Sequence, residues 1–115
     1  MATLATQSLL ANALAFTGGV GVNDNDVVVQ TEDVSGYREF SLQSTAGAMD
    51  VLVSLDGTNY TTAPLSLIDR RASASDPVIV TAANRSYAFF GTFRKVKVLQ
   101  NGGTAVTAAC LLCSK

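Results

Sequence analysis

The chain has 115 residues, 48% of them hydrophobic and only 15% charged, with a net charge of −1 and no histidine. That length suits one domain whose modest core needs neither disulfides nor a metal, and no run approaches the roughly 18 consecutive apolar residues of a membrane span. Without histidine the chain lacks the usual carrier of acid–base chemistry at neutral pH, so composition argues against an enzyme and excludes a histidine-ligated metal.

Charge is divided along the chain. Residues 1–69 hold eight acidic side chains against Arg38 alone, giving −7, and residues 70–115 hold seven basic ones against Asp76 alone, giving +6. The simpler reading places acidic and basic strands side by side within one monomer; the other has copies meeting through faces of opposite sign. So few charges beside so many Ala, Thr, Ser and Val residues predict an apolar surface partly covered by other subunits.

Residues 1–16 contain no charge. Leu4, Leu9, Leu10, Leu14 and Phe16 need cover, and the segment is expected to be an arm lying on a neighbour, with a short amphipathic helix as the alternative reading. Gly18 to Asp26 is turn chemistry and marks the hinge, so the expected division is an N-terminal arm over 1–19 and a β-sandwich domain over 20–115. A secretory signal is disfavoured, since no Lys or Arg precedes Arg38.

Val27–Val29 and Tyr37–Ser44 read as strands. Met49, Val51, Val53 and Leu55 alternate with polar partners, Asp56-Gly57 invites a reversal, and Ala63, Leu65 and Leu67 suggest a returning strand, so this hairpin organises the domain. The loop from Asp69 to Pro77 offers Arg70 and Arg71, whose guanidinium forks suit a neighbour's carboxylate or phosphate; Asp69 and Asp76 could instead satisfy them locally. Val78–Val80 is a further short strand. Tyr87–Phe93 gathers four of the eight aromatic residues as core, with Gly91 at a bulge or close approach.

Arg94 to Lys115 reads as a second hairpin, with Lys95 and Lys97 as edge protection and Val106, Ala108, Cys110 and Leu112 on one face. Arg94 is a further candidate for a charge contact between subunits. A pI near 5.1 argues against nucleic-acid binding. Cys110 and Cys113 form a lone C-x-x-C, expected to be two reduced, small apolar side chains, with no metal and no cofactor.

Short strands at spacings near ten residues, with Gly, Asn and Asp in the turns, predict an all-β chain: an antiparallel β-sandwich, jelly-roll or Ig-like. The run from Val53 to Tyr60, followed by a polar loop and the segment Phe93–Val98, resembles small β-sandwich virion proteins of tailed bacteriophages. That resemblance implies a non-enzymatic structural protein, a capsid decoration (cement) protein located in the virion and made in the host cytoplasm. Its implied partners are other virion proteins, above all the major capsid protein, and its own copies in a homo-oligomer such as a trimer; nucleic acid and membrane are not expected. A neck, tail or fibre component is the nearest alternative. A carbohydrate-binding module is another, and it requires an exposed aromatic, with Tyr60 and Tyr87 as candidates.

Overall fold

Period-two alternation of apolar and polar residues runs through much of this chain, and it folds accordingly into strands. The computed structural model describes residues 2–70 and 77–115. Among these residues the strands are β1 Thr6–Leu9, β2 Ala13–Gly19, β3 Val27–Gln30, β4 Glu39–Gln43, β5 Met49–Ser54, β6 Ile68–Asp69, β7 Tyr87–Phe90, β8 Lys95–Gln100 and β9 Ala109–Ser114. Six form one sheet in the order β1-β2-β9-β4-β7-β6, and three form a second in the order β3-β8-β5. All the pairings between these strands are antiparallel. The chain is an all-β antiparallel sandwich.

Burial shows which face of each strand meets the other sheet. The large sheet contributes Leu14, Phe16, Phe40, Leu42, Tyr87, Phe89, Leu111 and Cys113, and the small one Val28, Val29, Met49, Val51, Val53, Val96 and Val98. Phe93 leans against both Phe40 and Phe89. Gly91 has φ +145, and a Cβ there would lie 2.7 Å from Phe93 Cζ, so the expected close approach is real. Gln100 is fully buried, but its Nε2 donates to Gly102 O and its Oε1 accepts from Val106 N–H. Those two bonds satisfy the amide and hold the crossing from β8 toward β9.

Several expectations are corrected. Residues 6–19 are neither helix nor separable arm: they are the strands β1 and β2, and Leu14 and Phe16 sit in the core, Phe16 at 2% exposure. The sandwich therefore begins inside the segment expected to precede it. The cause is tertiary, because β9 offers β2 a ladder with Leu14 opposite Cys113 and Phe16 opposite Leu111.

The central hairpin is half right. β5 buries Met49, Val51 and Val53, but Leu55 is exposed where the turn starts, and the return is irregular, touching β5 through Thr61 N–H to Val53 O and Leu65 N–H to Val51 O. Val78 forms only an isolated bridge with Leu67. Nor do β8 and β9 form a hairpin, since they lie in different sheets. Ala108 adopts φ +51 between them, and the strand beyond buries Ala109, Leu111 and Cys113 while Cys110 and Leu112 face outward. Lys95 and Lys97 do not guard an edge, because β8 is the middle strand of its sheet.

Candidate interaction surface

The outer face of the six-stranded sheet follows from strand register. Ser8 pairs with Ala15, Ala15 with Leu112, Leu112 with Ser41, Ser41 with Ala88, and Ala88 with Ile68. This row crosses all six strands without a charge. A neighbouring row runs Ala13, Ser114, Glu39, Phe90 and contains one carboxylate. Leu112, Ile68 and Phe90 are 39%, 50% and 52% exposed, so three large apolar side chains face outward beside the polar Glu39 and Gln43. Beside Leu112 lies a groove of about 300 Å³, lined by Ala15, Thr17, Ser41, Gln43, Cys110 and Leu112 among others. The face combines small side chains with shallow relief, which suits contact with another protein surface.

The sheet edge beside this face is uncharged and carries exposed leucines. Leu9 is 77% exposed on β1, and Leu4 and Leu10 flank it in the open. The small sheet has three strands against six, and among the described residues the inward-facing side of β1 is left uncovered, all four of its residues being exposed. Of the predicted contact residues, Leu4, Leu9 and Leu10 are therefore on the surface, whereas Leu14 and Phe16 are core and unavailable to a partner.

The predicted charge contacts fare differently. Arg94 Nη1 lies 3.6 Å from Asp33 Oδ2, with both side chains about half exposed. Arg70 is exposed, and its backbone N–H donates to Ser86 O. Arg71 and the rest of 71–76 lie outside the described residues. Arg85 reaches the buried Asp69 at 3.8 Å. Both ion pairs join the acidic part of the sequence to the basic part within one chain, in keeping with the intramolecular reading of the charge split.

The polar turns are self-satisfied. Asp56 Oδ1 accepts from the N–H groups of Thr58 and Asn59 and from Ser54 Oγ, and Oδ2 accepts from Asn59 Nδ2. The Asn59 backbone bond leads the set that holds this carboxyl well below the usual carboxylate range. Asp26 is lowered in the same way by the N–H groups of Asn23 and Val22. Among the described residues, no group of three acidic or cysteine side chains is placed to hold a metal ion.

Neither tyrosine offers a glycan platform. Tyr87 is buried and its hydroxyl accepts from Ala82 N–H, while Tyr60 is half-buried with Lys97 Nζ 4.1 Å over its ring. The exposed aromatic is Phe90. A sequence signal existed for it, because Phe89 and Phe90 are adjacent in a strand and must face opposite sides. Leu112 was missed because the phase of its strand was set one residue off, and Ile68 because it was read as the end of the central hairpin.

No protein-family model matches this chain, and no curated protein matches it in sequence. Among solved structures it is similar to the SPBc2 prophage-derived protein YomS, with a TM-score of 0.69 and 14% identity over 94% of this chain and 97% of that one. It is also similar to an RmlC-like cupin family protein with a double-stranded β-helix fold from Methanocaldococcus jannaschii. There the TM-score is 0.51 and the identity 9%, over 99% of this chain and 80% of that one. At these identities the likeness is one of fold alone, and it agrees with an antiparallel β-sandwich.

Proposed function

We propose that the protein is a non-enzymatic structural component of a bacteriophage virion, a capsid decoration protein that bridges and stabilises capsid subunits. The observation that carries this reading is the uncharged row from Ser8 to Ile68 across the outer face, continuous with the exposed Leu9 edge. A surface with little charge and few protruding groups gains most from contact with other protein surfaces, and weak contacts repeated over a lattice add up to firm attachment. The fold shared with a prophage-derived protein supports the phage setting. The partners in this reading are the major capsid protein and further copies of this chain.

The test is co-sedimentation of the purified protein with shells assembled from the major capsid protein of the same phage. Saturable binding that raises the temperature at which shells break, and that is lost in Leu112→Lys/Phe90→Lys, is the expected result. Binding to tail or neck fractions instead would assign it there, and binding to neither would overturn the virion reading.

A further inference from the structure

We propose that β1 is a two-fold contact between copies of this chain, with β1 of one protomer pairing antiparallel with β1 of its partner so that Ser8 faces Ser8 of the partner subunit. The inference stands on the strand edge and does not require the virion reading. Among the described residues, β1 ends the order of the large sheet, with β2 on one side and no strand on the other.

Backbone direction fixes which groups are open. Leu10 N–H bonds Ala13 O across the β1–β2 hairpin, whereas Ala5 N–H points the other way, to Val28 O. Bonding direction alternates along an antiparallel strand, so Thr6 and Ser8 also turn their N–H and C=O groups toward β2, and Gln7 and Leu9 turn theirs to the open side. Two such residues spaced by two are self-complementary. Placing Gln7 opposite Leu9 of the partner subunit lets both residues of each copy exchange both bonds and puts Ser8 on the axis. A register centred on Gln7 would set Leu9 against Ala5, whose N–H is already used. One centred on Leu9 would set Gln7 against Ala11 in the turn. The Ser8-centred register therefore satisfies the whole open edge.

The other edges are handled within the chain. The outer side of β5 takes bonds from Thr61 and Leu65, β3 accepts one from Ala5, and β6 is two residues long and leads into Arg70. β1 has none of these devices. It carries no charge, proline or bulge, and the first charged residue of the chain is Asp24. A bare edge of this kind invites another strand, and a second copy meets it without like-charge repulsion. In the paired state Leu9 lies diagonal to Leu9 of the partner subunit, and Leu10 opposes Thr6 of the partner subunit, which covers exposed leucines. The outer faces then join into one twelve-stranded surface.

The experiment uses the full chain in a Cys110→Ser background, leaving the buried Cys113. Ser8→Cys places two thiols at a non-hydrogen-bonded pair on the axis, where Cα atoms are about 4.5 Å apart, and is expected to cross-link under mild oxidation at least tenfold faster than Gln7→Cys or Leu9→Cys. Without the cysteine substitutions, Leu9→Pro removes an N–H that the hairpin does not use, so melting should stay within a few degrees while the concentration-dependent dimer in sedimentation falls at least tenfold. Gln7→Lys/Leu9→Lys should do the same by charge if the proline disturbs folding. Equal cross-linking at all three positions, a monomer at every concentration, or an oligomer indifferent to these substitutions would overturn the proposal.

Discussion

The ring of Phe40 lies flat on that of Phe89, with centroids 4.8 Å apart and planes within 5°. The two residues are directly opposed in the β4–β7 ladder, so register brings the rings together and the small sheet closes over them. Phe40→Ala or Phe89→Ala is expected to cost about 3–5 kcal/mol. The double variant should cost less than the sum, because each single substitution already breaks the shared stack. Urea denaturation of the three variants checks this, and additive losses would show that the stack contributes nothing beyond burial.

Deleting residues 1–16 should unfold the protein. The truncation removes β1 and most of β2, takes Leu14 and Phe16 out of the core, and bares the ladder edge of β9. Leu9→Ser by contrast should change stability by about 0.5 kcal/mol or less, as is usual for exposed positions. Circular dichroism of both variants distinguishes the cases. A truncated chain that kept its strands and its cooperative melt would restore the separable arm.

Acid should loosen the turn after β5 through Asp56. Its carboxyl is held below the ordinary value of 3.8 in the folded state by backbone N–H groups, so the unfolded chain takes up the proton first as pH falls. The stabilisation is complete above 3.8 and is lost as pH drops through the folded value. Melting temperature should therefore decline below about pH 4, and less steeply in Asp56→Asn. Asp26 and Asp33 are lowered too and keep part of the slope in that variant. An identical acid limb in the variant would remove Asp56 from the account.

The two cysteines should differ in reactivity. Burial pushes the Cys113 thiol up from 9.0 to about 12, whereas Cys110 is half-buried beside the outer groove. Only a thiolate reacts quickly, so a thiol reagent should label Cys110 in the native protein and Cys113 only after unfolding. Stability is independent of the Cys113 thiol below pH 9 and falls as pH rises from there toward the folded value, because the unfolded chain gives up that proton first. Equal labelling of both under native conditions would mean that β9 opens readily.

The sequence by itself determined the class of the fold and the inward face of β4, β5 and β8, because alternation of large apolar with polar residues admits one orientation when one side must be dry. It also determined the turn at Asp56-Gly57 and the close approach at Gly91, where side-chain acceptors and a missing Cβ act locally. The tertiary structure alone decided which strands are neighbours. Residues 1–19 alternate weakly, with Leu9 and Leu10 adjacent and Ala at many positions, so arm, helix and strand were all open until β9 supplied a ladder. The same holds for the outer surface: Leu112, Ile68 and Phe90 are far apart in sequence and lie on one face only because β9, β4, β7 and β6 pair in that order. Pairing between distant segments is set by which combination closes the core, and short-range periodicity carries no information about it.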